Sequence, residues 1–106
     1  MVDPARLRAL LSRLESRLRE LEPYAATEVD TFIADRQAVN AAKYLLVTVI
    51  EDALAAANHV IASEGFRSPS DHADAFRSLS EAKVLDPELA SRLEAMARLR
   101  NLLVHV

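Results

Sequence analysis

The 106-residue chain contains no cysteine, which excludes a disulfide framework, a thiolate nucleophile and a thiolate metal site together. It has one glycine, too few for the phosphate-cradling loops of nucleotide-binding proteins. Aromatic residues make up 5% of the chain and prolines number four; set among so much Ala and Leu, that is an all-helical composition. No stretch alternates with period two, no internal repeat is visible, and no segment is of low complexity. No apolar run is read as long enough to span a bilayer, and no signal segment precedes the Arg-rich start. A cytoplasmic protein without a membrane partner is therefore expected. His59, His72 and His105 fall in three different segments without paired-ligand spacing, so neither a metal nor a cofactor is expected.

A strong excess of either charge is missing as well. The net charge of −3 argues against a general nucleic-acid-binding surface. Its distribution is uneven: residues 1–22 carry five Arg against four acids, residues 23–91 five basic against eleven acidic residues, and residues 92–106 three Arg against Glu94 alone. A polyanion would meet the two ends of the chain rather than its middle.

What is present reads as a series of helices. Asp3-Pro4 is a helix start, an N-cap acceptor before a residue whose fixed φ suits the first turn. Leu7, Leu10, Leu11, Leu14, Leu18 and Leu21 recur at threes and fours, predicting a helix to about Leu21 with Arg6, Arg13 and Arg17 on its solvated side. Glu22-Pro23 is expected to break it. A short segment over 25–35 follows, anchored by Val29, Phe32 and Ile33, with Thr27 or Pro23 setting its start. The longest helix is expected over 36–63, its broad apolar face running from Val39 to Ile61. Glu64-Gly65 stops it with a glycine C-cap. Ser68, Ser70 or Asp71 caps a helix over about 71–82 that buries Ala75, Phe76 and Leu79. Val84 and Leu85 anchor the next turn, and Asp86-Pro87 repeats the start signal. The expected fold is one domain over 1–106, an antiparallel bundle of four to five helices around a long central one.

The last stretch, 98–106, reads Arg-Leu-Arg-Asn-Leu-Leu-Val-His-Val. Leu89, Leu93, Met96 and Leu103 keep helical spacing, and the missing step among them is Arg100, a permanent cation where a core residue belongs. Glu51 and Asp52 on the long helix are its natural acidic partners. His105, the side-chain type best suited to move a proton near neutral pH, stands five residues on, about 140° round the helix from Arg100. Asn101 and His105 share a face, and Arg100 can sweep towards them. A plainer reading also stands: Arg100 pairs with a carboxylate across the bundle and His105 is a solvated terminal residue. Asn40, Tyr44, Val47, Glu51 and Asn58 fall near one line of the long helix, and Asn58 and His59 together are further candidates. One proton-transfer group beside a cluster of cations suits phosphoryl chemistry on a substrate that carries its own nucleophile. RNA is such a substrate: its 2′-hydroxyl attacks the adjacent phosphorus once a base takes the proton and a guanidinium meets the charge on the non-bridging oxygens.

Arg100-Asn101-Leu102-Leu103-Val104-His105 resembles the Arg-x4-6-His signature of HEPN domains. The Arg-rich first segment, the passage around Asp35-Arg36, Ala57-Asn58-His59, the Ser-Asp-His-Ala-Asp-Ala-Phe passage and the run from Met96 to Asn101 are similar to HepT-like toxins of that superfamily. The resemblance implies a homodimeric helical bundle acting as a metal-independent endoribonuclease, paired with a nucleotidyltransferase antitoxin of the MNT type. It implies that Arg100 binds and polarises the scissile phosphate, that His105 moves the proton and that Asn101 orients one of them, with Arg98, Glu51 and Asn58 in support. A non-catalytic HEPN-type module that binds a partner nucleotidyltransferase is the alternative. In HepT proteins the motif usually continues His-x-Tyr, and the antitoxin transfers AMP to that tyrosine. The sequence here stops at Val106, one position earlier, so the expectation is either a cut before the tyrosine or a chain without that control point.

Overall fold

The computed structural model describes residues 2–105; Val106, where the motif was read as stopping short, lies outside them. Five helices pack together: α1 (Pro4–Ala25), α2 (Val29–Ala34), α3 (Arg36–Glu64), α4 (His72–Glu81) and α5 (Pro87–His105). At 29 residues, α3 is about 44 Å long and sets the 46 Å long dimension of the molecule. The expected all-α bundle with a long central helix is what is found.

Asp3 starts α1 as expected, its carboxylate accepting from the N–H groups of Ala5 and Arg6. The helix does not stop at Leu21, however; Pro23 lies inside its last turn. So close to the end a proline forfeits only one hydrogen bond, and the final carbonyls find other donors. The Ala26 N–H donates to the Glu22 carbonyl at 3.1 Å, and the Thr27 hydroxyl donates to the Pro23 carbonyl at 2.7 Å. Neither Thr27 nor Pro23 sets the start of α2. Glu28 does, its carboxylate accepting from the N–H and hydroxyl of Thr31, and those donors, the Thr31 N–H foremost, hold it below the usual carboxylate value. Only Phe32 of the expected anchors turns inward, edge-on to Tyr24. Val29 and Ile33 stay about two-thirds exposed, because a helix of six residues packed chiefly on α3 buries a single face.

By length and composition α3 is apolar enough to cross a bilayer, which corrects the reading of the sequence; half of that stretch is buried inside the bundle. Ile50, Leu54, Ala57 and Ile61 pack with Ala75, Phe76 and Leu79 of α4 and Ala97 of α5 in the main core. Gly65 ends α3 at φ 68, in the left-handed region that glycine enters without a Cβ clash. Asp71 caps α4, accepting from the Asp74 N–H at 2.8 Å, and Asp86 caps α5, accepting from the Leu89 N–H at 2.9 Å. In the turn between them Leu85 packs on the core while Val84 is about half exposed.

The inward face of α5 is broader than the leucines suggested: Leu93 and Met96 pack against the core as expected, and the fully buried positions lie beside them. Ala90, Glu94 and Ala97 are buried, and Leu89 is 44% exposed. Alanines at 90 and 97 let α4 and α3 approach closely, and Arg77 donates to the buried Glu94 carboxylate at 2.6 Å. Towards the end of the helix Arg100 and Leu103 are half-buried while Asn101, Leu102 and Val104 are exposed, so Arg100 keeps its place on the inward line.

Candidate active site at the end of α5

Three features place the Arg100 side chain. α5 runs antiparallel to α3, its end lies beside the N-terminal half of α3, and Leu103 and Val104 share a shallow cleft with Asn40, Tyr44 and Val47. Arg100 is 21% exposed. Its Nε is buried without an acceptor, while NH2 donates to Glu51 Oε2 at 3.0 Å and NH1 to Asn101 Oδ1 at 3.3 Å. Of the five N–H donors on a guanidinium, two are engaged and one is buried, which leaves two for an incoming acceptor. Glu51 is itself about half exposed, so the pair opens to solvent.

The other acid proposed for Arg100 is taken. Residue 52 lies about 100° round α3 from residue 51, on the side of α1. The Asp52 carboxylate, 7% exposed, accepts from Arg13 at 3.1 Å and forms a tight ion pair with Arg17. Those two arginines are therefore not a solvated face: they clamp α1 to α3. Asn58 is exposed, two turns or about 10 Å along α3 from Glu51, and has no hydrogen-bond partner among the described residues. His59 points the other way, its Nε2 accepting from the Asp3 N–H at 3.2 Å, and so pins the start of α1.

His105 is exposed on the last turn of α5 and has no hydrogen-bond partner among the described residues. The structure thus joins Arg100, Asn101 and Glu51 directly and leaves His105 one turn beyond Asn101. A second line organises that end of the helix. Glu94, Arg98, Asn101 and His105 follow steps of four, three and four, one face of α5, and it looks towards the start of α4. Between them lies a polar notch lined by Ser70, Asp71, His72, Arg77, Arg98 and Asn101. Arg77 holds Glu94, and the Arg98 guanidinium stands 3.8 Å from the same carboxylate. Behind the notch Asp74 accepts from Arg67 at 2.7 and 3.0 Å and from the Ser70 N–H at 2.9 Å. Arg67 first, and that N–H second, hold the Asp74 carboxyl well below the usual range. Asp74 and Glu81 in turn raise the Arg67 guanidinium above its ordinary value. Among the described residues no three His, Asp or Glu side chains are grouped as metal ligands.

The reading of the sequence missed His72, Arg77 and Glu94. The four-three-four line on α5 was legible there. Its partners across the notch follow from the five residues between α4 and α5, a connection that forces an antiparallel helix pair.

Residues 14–106 match the family described as Ribonuclease HepT-like. The chain belongs to that family. The resemblance carried by Arg100 to His105 therefore holds across most of the sequence. Two solved structures share the fold of this HepT-like chain. YutE of Bacillus subtilis, described as a cytosolic protein of unknown function, superposes with a TM-score of 0.83 at 21% identity, over 97% of this chain and 68% of its own. A toxin–antitoxin structure with AMP-PNP superposes with a TM-score of 0.78 at 22% identity, over 96% of this chain and 74% of its own. No curated protein matches the HepT-like sequence significantly.

Proposed function

We propose that this HepT-like chain, as a single HEPN-type domain, is an endoribonuclease toxin of a cytoplasmic toxin–antitoxin pair, cleaving RNA without a metal by attack of the 2′-hydroxyl. The observation that carries the reading is the placement of Arg100: a guanidinium fixed by Glu51 and Asn101 at the rim of the bundle, with donors to spare, in a chain of a ribonuclease family. Packing alone gives no reason for a cation whose Nε lies buried and unpaired, since such a group costs about 1–3 kcal/mol. In the mechanism Arg100 takes the non-bridging phosphate oxygens, whose charge grows as the 2′-oxygen attacks. His105 accepts the 2′ proton, Asn101 orients the guanidinium, and Arg98 adds positive charge on the same face of α5.

A homodimer sets two such ends across one groove and doubles their charge. Leu99, Leu102 and Val104, all more than 40% exposed around the motif, supply an apolar surface for it. The fold shared with a toxin–antitoxin structure supports an antitoxin as the partner; in this reading it is a nucleotidyltransferase of the MNT type. The test is cleavage of a defined oligoribonucleotide in EDTA. Wild-type protein is expected to leave a cyclic or 3′-phosphate end, and His105→Ala to lose activity while keeping its helical circular dichroism. Unchanged cleavage by that variant removes His105 from the mechanism, and no cleavage by the wild type removes the ribonuclease.

A further inference from the structure

Cleavage by an internal 2′-hydroxyl moves two protons, one off the nucleophile and one onto the departing 5′-oxygen. The site described above names a group for the first only. From the notch between α4 and α5 we infer that His72 supplies the second, so that one chain carries both an acid and a base for this reaction; the inference rests on the ribonuclease reading. His72 is the first residue of α4 and is exposed. It lines the same notch as Arg98 and Asn101, the two residues that precede His105 on one face of α5.

The register of the helix pair sets His72 in the notch beside Asn101, with His105 one turn beyond it on the same face of α5. Arg77 meets Glu94 across it, and counting back five residues on α4 and forward five to seven on α5 sets His72 level with residues 99–101. His105 lies one turn further, an advance of about 6 Å from Asn101. An in-line displacement needs acid and base on opposite sides of the phosphorus. Each must come within one hydrogen-bond length of its oxygen, and two rings offset by about one helical turn can flank a phosphate held between them. The arginines fit the same picture. Arg77 and Arg98 converge on Glu94, which neutralises one of them, and both side chains remain more than half exposed. The acids nearby are already committed, Asp71 to capping α4 and Asp74 to Arg67 and Ser70.

The step balances as follows. The 2′-oxygen forms its bond to phosphorus as its proton passes to the neutral imidazole of His105. The bond from phosphorus to O5′ breaks, and the His72 imidazolium gives its proton to that oxygen. The products are a 2′,3′-cyclic phosphate and a 5′-hydroxyl, and exchange with water resets both rings.

A substrate whose leaving oxygen is replaced by sulfur separates this role from a structural one, because a 5′-thiolate departs without a proton. With an ordinary oligoribonucleotide, His72→Ala is expected to lower the cleavage rate at saturating substrate by about 10²–10⁴-fold, without a change in melting temperature. With the 5′-phosphorothiolate linkage the same variant is expected to approach the wild-type rate, while His105→Ala stays defective on both. Full activity of His72→Ala on the ordinary RNA, or an equal deficit on the two substrates, overturns the assignment. So does rescue of His105→Ala by the thio substrate. A wild type that cleaves neither substrate overturns the ribonuclease reading and this inference with it, whereas a wild type that cleaves beside an unaffected His72→Ala overturns the inference alone.

Discussion

Arg100 is a residue whose chemical use and structural use pull in opposite directions. Its Nε is buried without a partner, and its ion pair with Glu51 is open to water, where such pairs contribute only about 0–1 kcal/mol. Arg100→Met keeps the length of the stem and removes the unpaired group. We expect its urea-unfolding free energy to equal the wild type's or exceed it by about 1 kcal/mol. Its RNA cleavage should fall by about 10²–10³-fold, the usual cost of losing one donor to a developing oxyanion. Parallel losses of stability and activity would mean that Arg100 only staples α5 to α3. This residue was legible in the sequence because it interrupts an apolar spacing, and Glu51 was legible as its acid. Asp52 was not assigned correctly, because one step along a helix turns a side chain by about 100° and sequence spacing does not say on which side α1 lies.

Among the elements, α4 and the turn that follows it give two expectations. Lys83 occupies the left-handed region at φ 63, where its N–H donates to the Ser80 carbonyl and the next N–H to that of Leu79. A Cβ there costs about 1–2 kcal/mol, so Lys83→Gly is expected to raise thermal stability by roughly 1 kcal/mol, once the entropy glycine loses on folding is counted. A lower melting temperature would show that the lysine makes a compensating contact. The second expectation concerns acid. Asp74 is held well below the ordinary carboxylate value by Arg67 and the Ser70 N–H, so its folded-state value lies under its unfolded one. That stabilisation is complete above the unfolded value, about pH 4, and is lost as pH falls towards the folded value. Melting temperature should therefore drop on acidification below pH 4, and drop less steeply in Asp74→Asn; identical slopes would exclude Asp74 from the acid transition. Helix ends were read well where an Asp-Pro pair or a glycine marks them, at Asp3, Asp86 and Gly65; Asp71 was one of three candidates, and the Glu28 cap of α2 was missed. Pro23 is tolerated because the Ala26 N–H and the Thr27 hydroxyl serve the last turn, and no local pattern announces that. The inward stripe of α5 was legible in part: Leu93 and Met96 pack on the core as their spacing implied, but the fully buried positions are Ala90 and Ala97 beside them, where small side chains let two helices press close.

At the scale of the molecule, the proposed twofold assembly places the exposed leucines of α5 between copies. Leu102, 64% exposed, contributes little to a single chain. Leu102→Glu is expected to shift sedimentation from dimer to monomer with unfolding changed by less than about 0.5 kcal/mol, and to reduce cleavage with it. A variant that stays dimeric would move the interface elsewhere. The fold as a whole was accessible from composition and periodicity, since a chain with one glycine and repeated leucine spacing has few alternatives to a bundle. The notch was not, because it is made by segments whose proximity only the helix pairing creates.

The main core draws its buried side chains from α3, α4 and α5 alone, while α1 rests chiefly on α3, tied there by Leu10 and the two arginines on Asp52. The opening quarter of the chain is thus fastened along one edge, like a cover on a spine. In hydrogen exchange its amides should trade with deuterium sooner than those of the three helices beneath, and warming should lift it while those three stay packed.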